Sequence, residues 1–156
     1  MKLTVSLYLI PGLIAVDLAA KAGIRTNLDT LDSPIPIAPF LSVRLVENAG
    51  VSFGMFSAVP ALVAIVTASL IFAFSVWLYR TRSRREVLAL AFIIAGALGN
   101  FVDRSIFGSV TDFLGWGAPI SPIFTNNFAD LWIGVGVVAL FGGALVNHIR
   151  LSRGVT

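Results

Sequence analysis

Apolar residues in this chain come in long runs rather than in alternation. The first run extends from Leu3 to Ala20 and is broken only by Asp17. The second, Ala58 to Leu78, holds no charge. The third covers Val87 to Val102, and the fourth starts around Phe128 and reaches Asn147 with Asp130 as its only charge. A helix needs about 20 predominantly apolar residues to cross a bilayer. The second run meets that length cleanly, and the third reaches it with Asp103 and its neighbours at the interface. No alternation of outer-membrane strands appears, so helices are the spanning element. The pattern predicts an all-α membrane protein: a four-helix transmembrane bundle in one integral domain over 1–156, with spans near 3–21, 58–79, 87–103 and 128–147.

Between the runs lie two long polar loops on one side. The first, Ala22 to about Ser57, contains the turn-rich stretches Asn27-Leu-Asp29 and Asp32-Ser-Pro34-Ile-Pro36. It then carries Leu41-Ser-Val43-Arg-Leu45-Val46, which alternates like a half-buried strand. A small extracytoplasmic β substructure lying on the membrane surface is expected there. The second loop, about Asp103 to Asn127, is rich in Gly, Pro and aromatics and reads as irregular.

Composition agrees with the membrane reading. Only 12% of the 156 residues are charged and 57% are hydrophobic, against about 25% charge in a typical soluble domain. There is no cysteine, which excludes disulfides, thiolate metal sites and a Cys nucleophile, and His148 is the single histidine. The net charge of +3 would point to nucleic acid in a soluble protein. Here it is sorted by side instead. Lys2, Arg80, Arg82, Arg84, Arg85, Arg150 and Arg153, seven of the eleven cations, share one side with a single acid, Glu86. The positive-inside rule then places both termini and the Arg loop in the cytoplasm, and no nucleic-acid partner is expected. Trp77 and Tyr79 suit the cytoplasmic interface and Trp116 the outer one. Ala19-Ala20-Lys21-Ala22 at the end of the first run imitates a secretory cleavage site. Retention of the run keeps an even number of spans and is the reading adopted.

Ionisable groups near a bilayer cost about 2.5–3.5 kcal/mol on insertion scales and are functional candidates by default. Asp17, Asp103, Asp112 and Asp130 come from separate parts of the chain but share one membrane depth. Each also has a plainer role open to it. Asp17 lies one turn from Lys21, Asp103 is next to Arg104, and Asp130 opens a helix whose N-terminus favours a carboxylate. His148 falls at the opposite end, so Ser–His–Asp chemistry is out of reach. A Ser–Lys pair would need Lys21 and has no motif behind it. Acids alone would suit Mg or Ca in the outer compartment, a weaker fit to an apolar environment. What remains is a pair of carboxylates sharing one proton, with one acting as general base on a water and the other protonating a carbonyl. Spacing alone leaves both Asp103 and Asp112 open as the partner of Asp130.

Five segments carry a resemblance. They are Asp17-Leu-Ala-Ala-Lys21, Asn48-Ala-Gly50-Val-Ser-Phe53-Gly54, Gly99-Asn100-Phe-Val-Asp103-Arg104, Gly108-Ser-Val110-Thr-Asp112-Phe113 and Asn127-Phe-Ala129-Asp130. In this order and topology the chain resembles the lipoprotein signal peptidase (signal peptidase II) family. The resemblance implies an intramembrane aspartyl endopeptidase of the bacterial cytoplasmic membrane, with its active site toward the extracytoplasmic face. It implies cleavage of diacylglyceryl-modified prolipoproteins before the lipobox Cys, with membrane phospholipids around it and neither cofactor nor metal. Carried over, the catalytic pair is Asp112 and Asp130. Asn48, Gly50, Asn100, Asp103, Arg104 and Asn127 match positions that support the pair or contact substrate, and Asp17, with Lys21, matches a structural first-helix element. Asp103 then becomes a residue holding Asn100 or Arg104. The chain departs from the family pattern at Thr111, where Val is usual, at Val51-Ser52, and at Thr125-Asn126 before Asn127. None of these changes removes a catalytic group.

Two other classes compete. A small proton-coupled transporter or channel module would also bury acids, but carriers usually show internal repeats, and none is visible. A structural scaffold would leave the four interface acids unexplained. The small residues of the third and fourth runs allow close helix approach, and the Arg cluster serves topology and anionic lipid contact.

Overall fold

The computed structural model describes residues 2–27, 33–50 and 59–152. The expectations placed on 28–32 and on 51–58, including the Val51–Gly54 part of the second motif, lie outside the described residues, as does the side chain of His148.

The first run is one helical rod in three parts: α1 (Lys2–Thr4), a π-helical stretch over Val5–Leu9, and α2 (Ile10–Thr26). Pro11 accounts for the change of pitch. It has no N–H to donate to the preceding turn, and the Ile10 N–H bonds the Val5 carbonyl, five residues back. Strands β1 (Ile35–Ala38) and β2 (Leu41–Asn48) follow. Helix α3 (Pro60–Arg80) begins on a proline, whose fixed φ suits a first turn. Helix α4 (Arg84–Phe107) begins at Ser83, whose hydroxyl accepts the Glu86 N–H, the capping arrangement that Ser-x-x-Glu announces. It ends at Gly108, which sits in the left-handed region at φ 76°. Strands β3 (Val110–Ala118) and β4 (Ser121–Asn126) lead into α5 (Phe128–Ser152).

Among the described residues, three helical stretches are long and apolar enough to cross a membrane: Leu7–Thr26, Ala61–Arg80 and Arg84–Phe107. The apolar stretch of α5 described in full, Phe128–Gly143, is shorter. Helix α4 lies at the centre and packs against α2, α3 and α5. Its residues Val87, Leu90, Ala91, Ile94 and Ala95 form the core with Ile10 and Leu78. Helices α4 and α5 approach closely because Gly96 has no side chain; a Cβ there would lie 2.8 Å from Ile133 Cγ1. By contrast, α3 exposes Leu62, Ile65, Val66 and Phe72, the surface of a helix facing hydrocarbon.

The second outer loop differs from expectation. It forms the β3–β4 hairpin, and the two outer loops together build a single antiparallel sheet in the order β1-β2-β3-β4. Asp112 is therefore on a strand, opposite Val46 of β2. Gly115 and Gly117 hid the strand, because glycine reads as a turn. Here a Cβ on Gly115 would lie 2.8 Å from the Ser42 hydroxyl, so the glycine admits the neighbouring strand. Phe113 packs edge-on against Phe128 at 5.1 Å, which ties the sheet to the start of α5. At the far end of the bundle, Lys2 Nζ donates to the Tyr79 carbonyl at 3.1 Å. The chain start, the end of α3 and the start of α4 thus lie together, and the sheet caps the opposite end.

Candidate functional site

Each acidic residue is placed by the element that carries it. Asp130 is in the first turn of α5, where Asn127 acts as the cap: its Oδ1 accepts the Asp130 N–H at 3.0 Å. Asp112 is on β3, at the point where the sheet meets the helices. Asp103 is one turn from the end of α4, and Asp17 is halfway along α2. The fold brings all four to one end.

Asparagine amides orient both carboxylates of the predicted pair. Asn127 Nδ2 donates to Asp112 Oδ1 at 2.6 Å, and Asn48 Nδ2 donates to Asp112 Oδ2 at 3.0 Å. The Gly50 N–H in turn donates to Asn48 Oδ1 at 3.1 Å, which fixes that amide. Asn100 Nδ2 donates to Asp130 Oδ1 at 2.7 Å. One side chain, Asn127, thus holds the Asp112 carboxylate with its nitrogen and the Asp130 backbone with its oxygen.

Both carboxylates line one cavity of about 940 Å³. Its upper wall is polar, with Asn48, Asn100 and Arg104; its lower wall is apolar and runs down α3 and α5 past Leu70, Phe74 and Ile133. Arg104 Nη2 donates to the Gly50 carbonyl at 2.5 Å. Burial pushes the Asp112 carboxyl up from 3.8 to about 6. The Asn48 and Asn127 amides pull it back, while the nearby Asp130 charge adds to the rise.

The other two acids are not free of partners. Asp17 Oδ2 is 2.8 Å from Lys21 Nζ, the one-turn pair that their spacing suggested, and both are fully buried. Asp17 Oδ1 also accepts the Ala129 N–H at 2.8 Å. Asp103 does not hold Asn100 or Arg104. Its Oδ2 accepts the Thr111 N–H at 2.6 Å and lies 3.8 Å from Lys21 Nζ, so it secures the residue beside Asp112. Asn100 is held by Lys21, whose Nζ donates to Asn100 Oδ1 at 2.8 Å.

Arg25 and Glu47 were missed in the sequence. Arg25 Nη1 bonds Glu47 Oε1 at 3.1 Å, and its guanidinium stacks 4.0 Å from the Phe107 ring centroid. It joins α2, β2 and α4 one residue from Asn48. The available signal was its position four residues after Lys21, on the same helix face. Among the described residues no group of three or more acids or histidines is placed to hold a metal ion.

Fold and site together define a small helical membrane protein with a polar cavity at one end of its bundle. The model of the family described as signal peptidase (SPase) II matches residues 9–146. The lipoprotein signal peptidase of Methylorubrum extorquens (strain PA1) is 36% identical over 132 residues, which cover 81% of this chain and 77% of that protein. The lipoprotein signal peptidase of Methylobacterium radiotolerans is 36% identical over 146 residues, covering 90% of this chain and 85% of that protein. A bacterial membrane enzyme solved by the in meso method at 2.3 Å resolution has a TM-score of 0.79 at 25% identity, covering 89% of this chain and 86% of that one. The chain belongs to the signal peptidase II family. It is a multi-pass membrane peptidase that processes lipoprotein signal peptides.

Proposed function

We propose that Asp112 and Asp130 are the catalytic pair of an aspartyl endopeptidase. It removes the signal peptide of diacylglyceryl-modified prolipoproteins by cutting before the lipobox Cys. The observation that carries this reading is the pairing itself. Carboxylates from β3 and α5 line the same cavity, each aimed by asparagine amides, and Asn127 bridges them. Two neighbouring carboxyls in a water-poor site share a proton. The ionised one takes a proton from a water, whose oxygen attacks the scissile carbonyl carbon. The protonated one gives its proton to the carbonyl oxygen. When the tetrahedral intermediate collapses, the C–N bond breaks and the new amine of the Cys leaves with a proton.

The cavity has the shape this substrate needs. Its polar end surrounds the carboxylates, and its apolar wall runs toward mid-bundle between α3 and α5, where a signal-peptide segment and acyl chains lose water. Each buried CH₂ contributes about 0.8 kcal/mol. We place the domain over residues 1–156 in the bacterial cytoplasmic membrane, with phospholipid around it. Helix α5 is the fourth span, both termini are cytoplasmic, and the sheet lies at the extracytoplasmic surface. The exposed Arg80, Arg82, Arg84 and Arg85 at one end support that orientation. The test is cleavage of a diacylated lipobox peptide by purified protein, read by mass. Asp112→Asn and Asp130→Asn each lose the product while remaining membrane-inserted. Full turnover by either variant refutes the pair.

A further inference from the structure

Lys21 is the one buried ammonium in contact with the acidic cluster, and the peptidase chemistry above gives it no part. Its side chain is 2% exposed, a costly position for a cation unless every donor is used. Two of its contacts are acids, Asp17 at 2.8 Å and Asp103 at 3.8 Å. The third is Asn100 Oδ1 at 2.8 Å, and this contact reaches the site. An ammonium has donors only, so the Asn100 amide can present only its oxygen to it. The amide NH₂ is thereby turned toward Asp130 Oδ1, 2.7 Å away. Without the ammonium the amide loses the contact that fixes its sense, because its oxygen and nitrogen ends have nearly the same shape.

The same cluster touches the pair at two more points. Asp17 accepts from the Ala129 N–H and so holds the turn that carries Asp130. Asp103 accepts from the Thr111 N–H and so holds the strand next to Asp112. Gly99 makes room for this arrangement, since a Cβ there would lie 2.7 Å from Asp17 Oδ2.

We propose that Lys21 is a positioning residue of the active site, setting the Asn100 amide so that its NH₂ faces Asp130, with Asp17 as its counter-ion and as the acceptor that anchors the α5 turn. This rests on the Asp112–Asp130 reading, and the two can fail separately.

The test uses full-length protein in detergent with the diacylated lipobox peptide. Asp17→Asn/Lys21→Met removes the ammonium without leaving its closest counter-ion charged, and the Asn oxygen can still accept from Ala129. The expected result is a fall in kcat of about 100-fold, the size of effect that follows from misplacing a reacting group, with KM within about twofold and a larger loss than Asp17→Asn alone. Adding Asn100→Ala should cancel the difference between the single and double variants, because the action runs through Asn100. A packing role would persist in that background. If the methionine variant melts too early to assay, Asp17→Asn/Lys21→Gln keeps a donor and should stay within about tenfold of the parent. Parental kcat in the methionine variant, a loss undiminished by Asn100→Ala, or a glutamine variant as inactive as Asp130→Asn would each overturn the proposal. Full activity of Asp130→Asn would instead remove the catalytic pair on which it rests.

Discussion

The two ends of the bundle use similar residues in opposite ways. At the end that holds Lys2 and the α3–α4 turn, Arg80, Arg82, Arg84 and Arg85 are exposed. The polar contacts there are largely exposed: Glu86 takes hydrogen bonds from Thr81 at 2.6 Å and from Trp77 at 3.1 Å, and Lys2 reaches the Tyr79 carbonyl. At the other end Asp17, Lys21, Asp103, Asp112 and Asn127 are buried. Several of their hydrogen bonds join residues far apart in sequence, from 15 positions in Asn127–Asp112 to 112 in Ala129–Asp17. Exposed charge is screened by water and contributes little to structure. A buried charge must be matched by a group of fixed position. The first end therefore tolerates change, and the second depends on the whole fold.

Substitutions can break this contrast. The largest effect belongs to Asp130→Asn, which should reduce cleavage by at least about 1000-fold if acid–base chemistry is lost. Its counterpart at the other end, Glu86→Gln, should leave turnover within about twofold. Comparable losses from both would abolish the distinction. Next is Asn127→Ala. It removes a donor to Asp112 and the cap of α5, so kcat should fall about 100-fold and stability by about 1 kcal/mol. Turnover and thermal melting of the same sample give both numbers.

A pH series sharpens the comparison further. The Asp112 carboxyl is raised to about 6, so its ionised form is lost as pH falls through that value. Asp130 is charged while Asp112 titrates, so the pair keeps its single shared proton below about pH 6 and should lose activity as pH rises above it, by about tenfold per unit once titrated. The raised value also means that ionising Asp112 costs folding free energy. Its contribution to stability is most favourable below the ordinary carboxylate range and is lost as pH rises through about 6. A cleavage profile flat from pH 5 to 8 would exclude this titration from the rate. The smallest effect concerns Thr111, whose buried hydroxyl has no hydrogen-bond partner. Thr111→Val should raise stability by about 1 kcal/mol, read as a higher melting temperature with turnover unchanged.

Much of the architecture was legible in the chain. The apolar run from Val87 marked α4, and the alternation of Leu41–Val46 marked β2, because run length and periodicity are local properties. Strand β3 was not legible, because its glycines serve contacts with Ser42 and with β4 that are absent from the local sequence. The acids could be counted but not paired. Asp103 stood as near a helix end as any catalytic group, and only the fold turns it toward the Thr111 backbone.

The sequence by itself determined a helical membrane chain and the inventory of its cations, acids and asparagines, since hydrophobic run length and charge act without regard to contacts. The tertiary structure alone decided which amide faces which carboxylate, why Lys21 is buried, and that two distant loops make one sheet. Those choices depend on directional hydrogen bonds between groups far apart in the chain, and such bonds have no direction until the helices have packed.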